Sequence, residues 1–180
     1  TIDKRDGFEY YHRDIREMID LGYLCDYTIN IPIFDSQASN RNVCEYLIRR
    51  YFSVIIYCNS QKEGKEIYKI MNQIQGGCCG YIDCKTSKRK RDDILEKYEN
   101  GELGFLVNVR ILVEAFNSPR TEGVCFMHMP SCNTLIIQII GRALRLYSEK
   151  CMAKVILPFS TDEDQVNISK FVTTIAKHDS

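Results

Sequence analysis

The sequence predicts an α/β domain in which a parallel β-sheet is covered by helices on both faces. Three observations carry that expectation. Short runs that are apolar almost throughout, SVIIYC at residues 53–58, FLVNV at 105–109 and VCFM at 124–127, have the profile of strands buried on both sides. Segments of about 10 to 15 residues with helical spacing alternate with them, the order that produces right-handed βαβ units. At 180 residues, with 44% apolar and 27% charged side chains, the chain has the size and composition of one globular domain. Such a domain buries roughly 70% of its unfolded surface.

Taken in order, Phe8, Tyr11, Ile15, Met18 and Ile19 recur at helical spacing and Gly22 stands at a helix stop. Residues 8–21 therefore read as a helix within an opening arm of residues 1–25, and residues 26–180 as the domain proper. Tyr27 to Ile31 alternate with period two and run into Pro32, which predicts an edge strand. After a polar stretch at 35–42, Val43, Cys44, Tyr46, Leu47 and Ile48 mark a helix ending near Tyr51. The strand at 53–58 is followed by a helix over about 61–74, which leads through Gly76 and Gly77 to a strand at 79–83. Thr86 or Ser87 caps a helix carrying Ile94, Leu95 and Tyr98, and Asn100-Gly101 ends it. Strands at 105–109 and 124–127, a helix at 133–147, a strand at 155–158 and a helix at 162–177 complete the series.

Composition narrows the chemistry. The 24 basic and 24 acidic side chains cancel, so contact with nucleic acid or phosphate must come from local clusters. No apolar run approaches the ~20 residues of a membrane span. The nine cysteines are scattered through apolar stretches, as expected of reduced thiols in an intracellular, non-secreted protein, and their spacing does not predict a zinc site. The chain opens at Thr1 without an initiator methionine or leader, which we read as an excised part of a longer polypeptide. Heavy use of Ile, Lys, Asn and Tyr suits an AT-rich genome such as that of a large DNA virus or a parasite. Gly76, Gly77 and Gly80 precede a strand and follow a helix, the reverse of a dinucleotide fingerprint.

In a parallel sheet the working surface lies outside the carboxyl ends of the strands. The sequence places Asn59, Ser60, Lys85, Thr86, Arg110, Glu114, Asn117, Pro130 and Ser131 there. The strongest local signal is Gln138-Ile139-Ile140-Gly141-Arg142-Ala143-Leu144-Arg145. On one continuous helix Gln138, Arg142 and Arg145 project from a common face, a device for holding phosphate oxygens. Gly141 suggests close backbone approach, because glycine inside a helix costs ~1 kcal/mol. The densest basic patch is Lys85, Lys88, Arg89, Lys90 and Arg91. Cations at a helix start oppose the macrodipole by ~0.3 to 1 kcal/mol each, a conflict that a nucleic-acid phosphate removes. Thr86 offers a hydroxyl to the same phosphate. Neutralisation of the patch by Asp92 and Asp93 is the competing explanation. No aromatic platform interleaves with it, so recognition should be of backbone without sequence preference.

Residues 138–145 resemble motif VI, Q-x-x-G-R-x-x-R, of superfamily 2 helicases. Residues 53–60 resemble motif IV, and Lys85-Thr86-Ser87 followed by Arg91, Ile94 and Leu95 resembles the threonine block and R-x-x-I-L helix of that family. Residues 106–119 are similar to motif V, with Ala115 and Asn117 where the family usually has glycine and aspartate. The likeness covers about residues 24–158, in family order. It implies the second, C-terminal RecA-like domain of an ATP-dependent helicase or translocase. It further implies Arg142 and Arg145 as arginine fingers, Gln138 as positioning the γ-phosphate or the attacking water, Gly141 at the nucleotide, and Glu114 and Asn117 as residues that couple nucleic acid to nucleotide. Lys85, Thr86, Lys88, Arg89, Lys90, Asn59 and Ser60 would meet a DNA or RNA backbone. The chain contains neither a P-loop nor a D-E-x-H box. ATP and Mg2+ would therefore need an N-terminal RecA-like domain of the same polypeptide, and the fragment alone would hydrolyse nothing. A helicase-like binding module without turnover is the alternative that Ala115 and Asn117 favour.

Overall fold

A computed structural model describes residues 2–5, 8–11, 15–34, 39–111, 118–128, 133–147, 152–158 and 162–177. An antiparallel pair opens the chain, β1 (Ile2–Arg5) against β2 (Phe8–Tyr11). The predicted helix over 8–21 is thus confined to α1 (Ile15–Asp20). Phe8 and Tyr10, two apart, also share one face of a strand, and they pair there with Arg5 and Asp3. Gly22, at φ 75°, ends α1 as expected: its N–H bonds the Ile19 carbonyl at 2.9 Å while the Tyr23 N–H reaches Met18 at 2.9 Å.

The domain is a six-stranded, wholly parallel sheet. Its elements are β3 (Asp26–Asn30), α2 (Asn40–Arg50), β4 (Val54–Cys58), α3 (Gln61–Ile74), β5 (Cys79–Ile82), α4 (Lys88–Glu99), β6 (Phe105–Val109), β7 (Gly123–Phe126), α5 (Asn133–Ala143), β8 (Met152–Ile156) and α6 (Asp162–Ala176). The strand order is β3-β8-β7-β4-β6-β5. The edge position of β3 agrees with Pro32 after it. Connections that move one way along the sheet, through α2 and α3, cover one face; those that move back, through α4 and α5, cover the other. Uniform crossover handedness requires this.

Side chains of β4 alternate between the two layers. Val54, Ile56 and Cys58 pack with Val43, Leu47, Ile67 and Met71 of α2 and α3, while Ile55 and Tyr57 pack with Ile139, Ile140, Phe171 and Ile175 of α5 and α6. Every residue of β4, β6 and β7 is buried. Of the described cysteines only Cys84 is exposed. Burial pushes the thiols of Cys44, Cys58, Cys78, Cys79 and Cys125 up, Cys44 to about 12, so these are protonated packing groups. Among the described residues no helix is long and apolar enough to cross a membrane.

The amino edge of the sheet is tied by buried polar groups. Ser53 Oγ donates to Tyr98 Oη at 3.0 Å, Thr121 Oγ1 lies 3.2 Å from the same oxygen, and the Arg120 guanidinium holds the Tyr98 and Leu103 carbonyls. Beside this knot β7 begins at Gly123, where a Cβ would fall 2.8 Å from the Lys154 carbonyl oxygen of β8. Backbone in a paired strand cannot move aside. Gly123→Ala should therefore destabilise the chain by ~1–3 kcal/mol, seen as a lower urea midpoint at unchanged slope.

Candidate functional site

Parallel pairing brings the ends of β4, β5, β6 and β7 to one edge of the sheet. The loop after β5 is built around Asp83, a buried carboxylate. It accepts Tyr81 Oη at 2.9 Å, Thr86 Oγ1 at 3.0 Å and the Lys85 N–H at 3.0 Å, while its own N–H donates to Thr86 Oγ1 at 3.0 Å. Burial works to raise its pKa, but these bonds and the charge of Lys65 outweigh burial and hold the carboxyl below its ordinary range. The Thr86 hydroxyl is accordingly engaged within the loop, both as donor and as acceptor, rather than being directed to solvent.

The loop delivers the chain into α4. Ser87 is the N-cap, in extended backbone, and its side chain makes no capping bond. Lys85, Lys88, Arg89 and Lys90 are all exposed around that helix start. Asp93 turns away from them to Lys97, one turn on, at 2.9 Å. It therefore does not neutralise the patch, and the cations stand against an uncapped helix amino end.

Next to this loop, Ser60 caps α3 by accepting the Glu63 N–H at 3.2 Å, and Asn59 is exposed before it. Gln61 Nε2 approaches Cys84 Sγ at 3.3 Å, which links the β4 and β5 loops. The crossovers after β4 and β7 leave on opposite faces, so these neighbouring strands form a switch point, where open α/β sheets hold ligands. Here His128 Nε2 lies 2.7 Å from Glu63 Oε1 and bridges the crevice. After β6, the buried Asn108 accepts the Ile111 N–H at 3.2 Å, and Arg110 between them has φ 62°. Neither Glu63, His128 nor Asp83 stands out in the sequence as a site residue, whereas a lone Asn inside FLVNV is a visible signal.

The motif VI segment departs from its expected form. Ile136, Ile139, Ile140 and Ala143 of α5 are buried and Gln138 is exposed on the outer face, as an amphipathic helix requires. The helix stops at Ala143, short of the predicted 147. The Cys25 N–H takes the Leu144 carbonyl at 2.8 Å and Leu24 bridges antiparallel to Arg145, so the chain is drawn out of the helix toward β8. Arg145 consequently lies beside the start of β3, at the amino edge of the sheet, opposite the edge that carries the basic patch. A Cβ at Gly141 would meet nothing within 4 Å, so packing among the described residues does not require glycine there. The Arg142 side chain, Glu114, Asn117, Ala115, Pro130 and Ser131 lie outside the described residues.

Comparison with known proteins accords with this arrangement. The model of the helicase conserved C-terminal domain matches residues 38–147. The chain is 24% identical over 168 residues to IRC3 of Saccharomyces cerevisiae, described as an ATP-dependent helicase; the match covers 78% of this chain and 24% of that protein. It thus spans about a quarter of the length of that relative. Among solved structures, the type ISP restriction-modification enzyme LlaBIII bound to DNA superposes with TM-score 0.73 at 13% identity, over 97% of this chain and 15% of that one. A DEAD box protein from Methanococcus jannaschii superposes with TM-score 0.67 at 15% identity, over 89% and 42%. The fold is RecA-like.

Because the Asp83 carboxyl is held below its ordinary range in the folded chain, its contribution to stability is present at neutral pH. It is lost as pH falls through and below the usual carboxylate range near ~4. Asp83→Asn, which cannot accept from Tyr81 and Lys85 together with a full charge, should lose ~1–3 kcal/mol at pH 7. Denaturant titrations of both proteins should converge as pH falls below the usual carboxylate range.

Proposed function

The chain belongs to the helicase conserved C-terminal domain family as a superfamily 2 RecA-like domain, and from that premise we propose that it is the second motor domain of an ATP-dependent helicase or translocase. The observation that carries the proposal beyond family membership is the exposed cation cluster at the uncapped amino end of α4. Lys85, Lys88, Arg89 and Lys90 face solvent there, and Asp93 pairs with Lys97 instead of with them. Free N–H groups of a helix start and flanking cations together form a phosphate-binding arrangement. Asn59 adds an exposed amide, and Ser60, whose oxygen accepts the α3 cap bond, keeps a hydroxyl hydrogen to donate. Such contacts hold a sugar-phosphate backbone without reading bases.

We assign the nucleotide to the outer face of α5. Exposed Gln138 and the open space at Gly141 leave room there for phosphate groups. ATP with Mg2+ would supply the free energy for movement. This chain offers Arg142, Arg145 and Gln138 toward the phosphates, and a P-loop and acidic box must come from an N-terminal RecA-like domain. The termination of α5 before Arg145 separates the two proposed fingers: Arg142 is carried by the helix and Arg145 by the bridge to Leu24. Their relative position therefore depends on the segment around residue 24, which in the sequence leads away from the domain.

Replacing Lys88, Arg89 and Lys90 together with alanine should weaken binding of a labelled single strand uniformly across sequences and flatten its salt dependence, measured by fluorescence anisotropy. Unchanged affinity at low salt would return the patch to a solvated helix face. In the polypeptide that includes the upstream domain, Arg145→Lys should lower nucleic-acid-stimulated ATP turnover strongly, since a finger is worth ~10³ to 10⁵ in rate. Nucleotide affinity should fall far less. Steady-state ATPase with saturating nucleic acid decides it, and near-normal turnover would favour a binding module.

A further inference from the structure

Among the described residues Arg110 is the only non-glycine residue with a left-handed backbone, at φ 62°. The cause is a contact between residues that flank it, Asn108 and Ile111. Asn108 is buried in β6 and its carbonyl oxygen accepts the Ile111 N–H at 3.2 Å, which folds the chain back at the strand end and forces Arg110 into the turn. Glycine occupies this conformation freely, and Asn or Asp relieve it with local hydrogen bonds; arginine does neither. Packing gives no reason for the arginine. Its side chain is exposed and has no ion pair or hydrogen bond among the described residues.

The position is central. Val109 is paired with Cys58 and Asn108 with Ile82, so continuing both registers sets Arg110 between Asn59 on one side and Cys84 on the other. It stands between the β4 loop with Ser60 and the β5 loop with Lys85. Two carboxylates at this edge are already engaged, Glu63 with His128 and Asp83 inside its own loop. An exposed guanidinium on a strained backbone, unpaired among the described residues and set amid phosphate-binding candidates, suits a ligand from outside the chain.

We propose that Arg110 is a phosphate contact of the nucleic-acid strand, its guanidinium fork holding phosphodiester oxygens between the α4 cluster and the β4 loop. The inference rests on the carboxyl edge being the nucleic-acid surface. A nucleotide phosphate is the less fitting source of the anion, because Arg145 lies at the opposite edge of the sheet. Strain and function are then coupled: the residue that would best suit the backbone is the one that cannot hold phosphate.

The test compares the 180-residue chain with Arg110→Gly, Arg110→Lys and the Lys88, Arg89, Lys90 to alanine variant. Thermal unfolding and anisotropy titrations of fluorescein-labelled oligothymidylate over a salt series are the readouts. Arg110→Gly should raise Tm by ~2–4 °C through relief of the turn. It should also weaken binding about tenfold at low salt and reduce the log–log salt slope by about one. Arg110→Lys should retain the slope and recover part of the affinity, since it keeps the charge without the fork. A purely structural arginine would give a lower Tm on replacement and an unchanged slope, and that result overturns the proposal. If the alanine variant loses binding while Arg110→Gly binds as the original does, Arg110 alone is refuted. If the original chain fails to bind the strand at low salt, the nucleic-acid reading of this edge falls and the proposal with it.

Discussion

Both edges of the molecule depend on the parallel pairing of β4 with β6 and β7. A strand buried on both faces cannot leave its backbone groups unpaired, and β4 is paired in parallel on both sides. That arrangement sends every strand end to one side and every strand start to the other. Loops distant in sequence, at Asn59, Lys85, Arg110 and His128, become neighbours through register alone. No interaction among those loops is needed to gather them.

Helix α5 runs between the two edges. It follows β7 at the carboxyl side and ends beside Cys25 at the amino side, with Ile136, Ile139, Ile140 and Ala143 buried against the sheet. Its two ends therefore hold a fixed relation set by core packing. Cationic side chains are accordingly set apart on opposite sides of the domain. One side carries the α4 cluster, and the other carries Arg145 on a bridge to Leu24.

Buried polar groups decide the shape of the loops. Asp83 organises the turn into α4 through bonds to Tyr81, Lys85 and Thr86, and Asn108 folds the chain after β6. At the amino edge Ser53, Tyr98 and Thr121 do the same for the starts of β4 and β7. A satisfied polar group in a low-dielectric interior holds geometry firmly, because moving it would leave a donor or acceptor without a partner. Asn108 holds Arg110 in a conformation that arginine alone would avoid, so strain at the exposed loop is offset by order beneath it.

The continuous apolar runs at β4, β6 and β7, the helical spacing between them and Pro32 after β3 were enough to specify the α/β class, the strands and the edge position, since burial on two faces leaves a direct mark on residue choice. The motif order was equally legible, and with it the family. Where two patterns overlap the sequence is ambiguous: Phe8 and Tyr11 keep the spacing of a helix while Phe8 and Tyr10 keep that of a strand, and pairing with Ile2 to Arg5 makes the choice. Spacing carried α5 on to Tyr147, but the Cys25 N–H, 119 residues from Leu144, captured that carbonyl and ended the helix. The Thr86 hydroxyl is taken up by Asp83 beneath the loop, and Asn108 turns the chain at Arg110. These features turn on contacts between particular atoms, several of them far apart in sequence, and periodicity records which face a residue occupies but not which group it will meet.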